Sequence, residues 1–273
     1  MKVIIFNDTQ NFNGSLDFLN DRFSKKEKRF WDYKKYIPFL IKKLKSIDGF
    51  ENIDFELKKV FFYEGRYNSK LISNMSWSCN QKISEINYMI KREQKLLGIV
   101  TNEKISLANR KKIKAHIEEI KGQLEKKLKK YYSYKAKQKR NFEGQKKLFN
   151  DLESNPIIEL RTTPLKQFEG DVYQKGVDVL LATDLVNLAH MKEYDIAIIL
   201  SGDTDLVEAV KLIKTLGKIP IVVSYHSPKY ANHRNISDLM KVGKFINLRD
   251  LNNEEIFSMS ELRENKNDNL SKL

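Results

Sequence analysis

Five aspartates carry the first sign of chemistry. Asp203 and Asp205 stand two residues apart just after the apolar run IAIIL (196–200), Asp8 follows KVIIFN (2–7), and Asp178 and Asp184 lie in KGVDVLLATDL around the start of an expected helix. Glu64 adds a carboxylate near the end of FELKKVFFYEG (55–65). Carboxylates that converge repel one another and raise their own pKa values, so such a cluster is costly unless a cation sits in it. An all-oxygen ligand set suits Mg²⁺ or Mn²⁺. An ion held in that way serves phosphate chemistry, activating a water and stabilising charge on a phosphodiester. Zinc does not suit this chain, which has one cysteine, Cys79, and four histidines, His116, His190, His226 and His233, without metal-ligand spacing.

Each acid also has a local explanation. Asp205 with Glu208 in DLVE fits a helix N-cap and its capping-box partner. Asp203 fits a turn, and Asp8 fits a loop in which it accepts from free amides. Taken together, three or four carboxylates at strand ends favour a shared site.

The elements that must position them read as an α/β sandwich. KVIIFN (2–7), IAIIL (196–200) and IPIVVS (219–224) are short, apolar and rich in β-branched residues, as buried parallel strands are. FELKKVFFYEG is a longer, partly alternating strand, and KFINLRDL (244–251) a short one at the sheet edge. Helical spacing follows, with Leu206, Val210 and Ile213 on one face and Gly217 where a helix would stop. VDVLLATDLVNLAHM carries a second such helix before the strand at 196. Alternating strands and helices predict a mainly parallel sheet in a three-layer α/β/α fold, with functional groups beyond the carboxyl ends of its strands.

The net charge is +14, and residues 80–150, with 20 Lys and Arg against 7 Asp and Glu, carry +13 of it. This segment has no proline, and Ile113, Ile117, Ile120, Leu124 and Leu128 recur every three or four residues. It reads as an inserted basic, coiled-coil-like helical hairpin with a turn around Gly98. The expected organisation is a discontinuous α/β domain (1–79 and 151–251), the hairpin (80–150), and a polar tail (252–273) that fades into disorder. A concentrated positive field attracts polyanions. Within it, Lys126, Lys127, Lys129, Lys130, Lys135, Lys137, Lys139 and Arg140 interleave with Tyr131, Tyr132 and Tyr134. The lysines and arginine would follow phosphates while the rings stack on unpaired bases; the alternative is that the tyrosines pack the hairpin seam. The arm is also a candidate homodimer contact.

VIIFNDTQNF (3–12), KGVDVLLATDLVNLA (175–189), YDIAIILSGDTDL (194–206) and LGKIPIVVS (216–224) together resemble the NYN domains of the PIN-like nuclease superfamily, in the LabA-like branch. The resemblance covers roughly residues 1–68 and 158–251 and leaves the hairpin outside. It implies a metal-dependent nuclease, most often one acting on RNA, with Asp8, Asp178, Asp184, Asp203 and Asp205 as the acidic set. Asp8, Asp184 and Asp203 are the expected direct ligands, with Asp178 and Asp205 as further ligands or water-orienting groups. Asn11 matches the asparagine after the first aspartate, and Ser201 with Gly202 matches the turn near the ligand. Where the family usually has glycine after the first aspartate this chain has Thr9, whose hydroxyl could assist.

Competing readings are weaker. A haloacid dehalogenase phosphatase needs Asp-x-Asp after its first strand, and FNDTQN offers one aspartate. A Toprim unit would pair YEG (63–65) with DTD (203–205) across too long a separation. The alternative from another class is a catalytically silent NYN module that binds nucleic acid or a protein through the hairpin. The first residues lack a secretory signal pattern, no stretch approaches the ~18 apolar residues of a membrane span, and the lone cysteine fits a reducing compartment, so a cytoplasmic protein with no membrane partner is expected.

Overall fold

The computed structural model describes residues 1–24, 26–102, 106–168, 171–227 and 236–262. In chain order the first elements are β1 (Lys2–Asp8), α1 (Thr9–Asn20), β2 (Arg29–Trp31), α2 (Tyr33–Leu44) and β3 (Glu56–Arg66). The long helices α3 (Ser69–Asn102) and α4 (Leu107–Glu153) follow, then β4 (Ile158–Pro164), β5 (Lys166–Phe168) and β6 (Asp171–Tyr173). The rest comprises α5 (Val177–His190), β7 (Ile196–Leu200), α6 (Val207–Thr215), β8 (Ile219–Ser224), α7 (Ile236–Val242), β9 (Lys244–Asn247), α8 (Asn253–Met259) and β10 (Ser260–Leu262). The chain forms two compact units, one from residues 1–65, 151–163 and those described from 174 onward, the other from Arg66–Asn150 and Pro164–Tyr173.

The first unit is built on a six-stranded sheet in the order β4-β3-β1-β7-β8-β9. The pairs β1·β3, β1·β7, β7·β8 and β8·β9 are parallel. Val60 N–H donates to Ile157 O and Leu165 N–H to Arg66 O, so β4 ascends with β3. The chain winds to one side of β1 through β3 and to the other through β7, which makes the ends of β1 and β7 the switch point of the sheet. Side chains alternate across it. Ile4 and Phe6 of β1 and Ala197 and Ile199 of β7 pack with Val177, Leu181, Leu185, Val210 and Ile213 of α5 and α6. On the opposite face Asn7 donates to the buried Tyr36 hydroxyl of α2 at 2.8 Å, and Phe12 of α1 stacks on Trp31. This is the expected three-layer α/β/α fold with a parallel sheet.

Several local expectations change. The apolar run KFINLRDL pairs only over Lys244–Asn247; Leu248–Asp250 is a 3-10 turn capped by Asn247. Ile158–Pro164 forms an edge strand that its polar sequence IELRTTP does not advertise. The polar tail begins with ordered structure. Asn252 and Glu255 make a reciprocal capping box for α8, Ile256 and Met259 are buried, and β10 pairs antiparallel with β2. Residues 263–273 lie outside the described part.

In the second unit, α3 and α4 are longer than the hairpin read from sequence, and α3 runs through Gly98 to Asn102. Leu71, Met75, Cys79, Ile83 and Ile86 form the buried stripe of α3 at spacings of three and four, and Ile117 is buried on α4. Ile113, expected in that stripe, is 38% exposed. The seam of α4 continues instead through partly buried Tyr131, Tyr134, Gln138 and Phe142. Tyr67 ties the bases of the helices together, its hydroxyl donating to Gln138 and its amide to Gln145. β5 and β6 form a short antiparallel ladder in the same unit. Among the described residues no helix is long and apolar enough to cross a membrane.

Candidate metal centre

Register brings the site together. Asn7 pairs with Leu200, so Asp8 and Ser201 leave β1 and β7 side by side; Ile199 pairs with Val222, so Ser201 and Ser224 leave together as well. Asp8 is the N-cap of α1: its Oδ1 accepts from Asn11 N–H at 3.2 Å, while Oδ2 accepts from the Ser201 hydroxyl at 3.0 Å. Ser201 Oγ accepts in turn from Asp203 N–H at 3.1 Å. Asn11 Oδ1 accepts from Gly202 N–H at 2.8 Å, pinning α1 to the loop after β7. Gly202 suits the packing, since a Cβ there would run into Ser224 Oγ and crowd Ile236 Cδ1.

The local roles of the SGDTD acids are the reverse of the sequence reading. Asp203, not Asp205, is the cap: its Oδ1 accepts from Asp205 N–H at 3.0 Å at the head of the 3-10 turn Thr204–Leu206. Leu206 precedes α6 without a side-chain cap, and Glu208 pairs with Lys211 instead of closing a capping box. A 3-10 turn before α6 moves the start of the helix past Asp205, so Glu208 no longer stands three residues beyond a cap.

Asp8, Asp178 and Asp203 converge, each offering a carboxylate oxygen within 4.8 Å of the others. Burial pushes the Asp8 carboxyl up to about 6, and the Asp178 and Asp203 charges add to this against the bonds from Asn11 and Ser201. Asp178 is also raised, first by burial and then by the charges of Asp203 and Asp205. Among the described residues no lysine or arginine forms an ion pair with any of the three. The observations fit a hard divalent cation: three oxygen donors, no nitrogen or sulfur, and a buried acid whose ionisation is opposed.

Asp184, expected as a direct ligand, stands apart from this group, and Asp178 lies with Asp8 and Asp203 instead. Six residues along a helix is about 9 Å and about 120° of rotation, so the two acids of α5 cannot face one point. Arg161 of β4 grips Asp184 with two 2.7 Å bonds, from Nε to Oδ2 and from Nη2 to Oδ1, and the Tyr63 hydroxyl donates to Oδ2 at 3.1 Å. Asp205 is exposed and lines a separate hollow of ≈ 480 Å³ that shares Asp178 and is walled by Val179, Ala182, Val186 and Ala209. Thr9 is the first residue of α1, with a right-handed φ that makes no demand for glycine. Its buried Oγ1 has no hydrogen-bond partner, and the residue is not part of the cleft wall.

The cleft itself, ≈ 460 Å³, is lined by the three acids together with Gln10, Gly14, Phe18, Gln174 and Tyr225, none of which the sequence reading singled out as a site residue. The detectable signal is the spacing of Gln10, Gly14 and Phe18, which share one helix face once Asp8 is taken as the cap. In the second unit Lys126, Lys127, Lys129, Lys130, Tyr132, Lys137, Lys139 and Arg140 are exposed. Tyr131, Tyr134 and Lys135 are partly buried, with Lys135 Nζ donating to Asn80 at 2.7 Å. Trp77 and Tyr88 of α3, 66% and 71% exposed, escaped the sequence reading. Eleven residues apart, they lie within about 20° of each other around the helix and about 16 Å along it.

No curated protein matches the chain. Among solved structures, a protein of unknown function from Vibrio parahaemolyticus aligns over 91% of this chain and 93% of its own, with 13% sequence identity and a TM-score of 0.45. The family model of the NYN domain matches residues 99–242, more than half of the chain. The match begins inside the hairpin, leaves Asp8 outside and includes Asp178, Asp184, Asp203 and Asp205. The chain belongs to the NYN domain family, one of the PIN-like nuclease families.

Proposed function

We propose that the protein is a metal-dependent nuclease that hydrolyses phosphodiester bonds in RNA, with Asp8, Asp178 and Asp203 holding Mg²⁺ or Mn²⁺. The observation that carries this reading is the convergence of those three carboxylates, with no ion-paired lysine or arginine among the described residues, at the switch point of a parallel sheet. A divalent ion bound there supplies charge stabilisation and an activated water. The protein's own contribution is rigidity: Ser201 orients Asp8 and the Asp203 backbone through one hydroxyl, and Asn11 fixes the Gly202 amide. Asp205, next to Asp178 but outside the triad, raises the Asp178 carboxyl and adds to the negative potential that a cation would relieve. RNA is favoured over DNA by the family's usual substrate.

Nucleic acid is the proposed partner of the second unit. Among its described residues Trp77, Tyr88, Tyr132 and Tyr173 are exposed aromatics, accompanied by the exposed lysines of α4. Base stacking on such rings adds to phosphate attraction. Replacing Lys126, Lys127 and Lys130 by glutamine should flatten the salt dependence of single-strand binding by roughly 0.7 for each phosphate no longer neutralised. An unchanged slope would remove these lysines from the interface, and a change in molecular size on the same substitutions would make the arm a dimer contact.

The test of activity uses labelled single strands of RNA and DNA with Mn²⁺ or Mg²⁺, comparing the wild-type protein with Asp8→Asn, Asp178→Asn and Asp203→Asn. Metal-dependent cleavage of RNA that the three substitutions abolish is expected. Equal cleavage by all four proteins would sink the assignment, and binding without cleavage would leave a silent nucleic-acid module.

A further inference from the structure

The cleft that would receive a phosphodiester brings no positive side chain to it: among the described residues that line it there is no lysine or arginine. Even with a divalent ion bound, the three ionised carboxylates of Asp8, Asp178 and Asp203 leave one net negative charge at the site. A phosphate arriving there is repelled unless neutral donors on the wall answer its oxygens.

Two side chains of the wall carry such donors, and both are locked in place. Gly65 N–H donates to Gln174 Oε1 at 3.1 Å, and Gly202 N–H donates to Asn11 Oδ1 at 2.8 Å. A backbone N–H can only donate, so it takes the oxygen of each amide and leaves the NH₂ group on the other side. Among the described residues neither Gln174 Nε2 nor Asn11 Nδ2 has an acceptor. Gln10 lines the same wall, but no hydrogen bond among the described residues holds its side chain, which must be ordered before it can donate. Asn11 belongs to a motif that marked the family, whereas Gln174 stands one residue before the motif that begins KGVDV. Gly176, with φ 82°, turns the chain between Gln174 and Asp178, and both reach the cleft.

We propose that Gln174 is a phosphate-binding residue, its Nε2 donating to a non-bridging oxygen of the scissile phosphate. This rests on the nuclease reading and adds a substrate contact to it. The Gly65 amide aims the donor in advance, so the group needs no reorganisation when negative charge develops on that oxygen.

The test requires no cleavage. Inorganic phosphate is titrated into the full chain with saturating Mg²⁺, and its phosphorus NMR line width is followed. Saturable binding by the wild-type protein is expected. Gln174→Leu, which adds no charge, should weaken it roughly ten-fold, as loss of one hydrogen bond to a charged acceptor does. Gln174→Glu keeps an oxygen for the Gly65 amide but no donor, and should be weakened at least as much. Mg²⁺ alone should raise the melting temperature of Gln174→Leu as it does that of the wild type, because Gln174 is not a ligand; a lost rise would place it in the metal site and overturn the contact. A tie that is only structural would spare Gln174→Glu, and that result also overturns the proposal. So does wild-type phosphate affinity in both variants, or no saturable phosphate binding in the wild type. A protein that cuts RNA but whose phosphate affinity ignores position 174 keeps the nuclease and loses the contact. Phosphate binding that depends on Gln174 in a protein that never cuts RNA keeps the contact and loses the nuclease.

Discussion

The two aspartates of α5 sit under opposite electrostatic conditions. Asp184 meets a guanidinium through two short bonds and a phenol through a third, so its charge is answered from within the chain. Asp178, about 1.7 turns earlier, meets two other carboxylates within 4.8 Å and, among the described residues, no protein cation. A right-handed crossover sets a helix antiparallel to the strands it connects, so the first turn of α5 lies at their carboxyl ends and later turns lie over the sheet. Both acids belong to one sequence motif, yet only the uncompensated one is left in need of a ligand. An acid's place in a motif therefore does not fix its role; the sign of the charges around it does.

The largest expected difference between the two is in catalysis. Asp178→Asn should lower kcat/KM on single-stranded RNA with Mn²⁺ by more than about 100-fold, as loss of a metal ligand does, whereas Asp184→Asn should stay within a few-fold in whatever fraction remains folded. Equal losses would erase the distinction between the two ends of α5.

Stability should respond in the opposite sense. The Asp8 carboxyl sits at about 6 in the fold against an ordinary 3.8. Folding therefore favours its protonated form: this contribution is fully present below about 3.8 and is lost as pH rises through about 6. Asp8→Asn keeps the shape without the charge and should stabilise the protein at pH 7.5 by on the order of 2–3 kcal/mol, with the gain vanishing near pH 4. Denaturant melts at the two pH values check it. Mg²⁺ or Mn²⁺ should raise the melting temperature of the wild type and leave Asp8→Asn nearly unmoved. A destabilised Asp8→Asn at pH 7.5 would mean that the triad carries no electrostatic strain.

At the compensated end, Asp184→Ala should destabilise by about 1–3 kcal/mol, moderated because Arg161 is partly exposed. Adding Arg161→Leu should recover part of that loss, a coupling that a double-mutant cycle reads directly. The smallest effect concerns Ser201, whose bond lowers the Asp8 carboxyl. Ser201→Ala should cost about 1 kcal/mol and move the acid limb of the rate profile to higher pH.

Much of the α/β unit was legible because buried parallel strands are written as short β-branched runs, and β1, β7 and β8 fall where KVIIFN, IAIIL and IPIVVS stand. Ile158–Pro164 was missed because an edge strand packs on one side only and its residues are mostly half-buried. The assignment of caps after β7 went astray because DLVE fits a capping box in isolation. Whether a 3-10 turn intervenes depends on how Ser201 and Gly202 are held by Asp8 and Asn11. Trp77 and Tyr88 were invisible as an exposed pair because composition does not say which face of a long helix is covered.

The sequence by itself determined the supply: five aspartates at strand and helix ends, a parallel sheet to gather them, and a basic helical segment that holds nearly all of the net charge. The tertiary structure decided the selection. Register set Asp8 against Ser201, the 3.6-residue turn sent Asp178 and Asp184 to different faces, and Arg161, from a strand that sequence did not reveal, neutralised one of them. Which carboxylate remains uncompensated depends on distances between groups far apart in the chain, and those exist only once the sheet has formed.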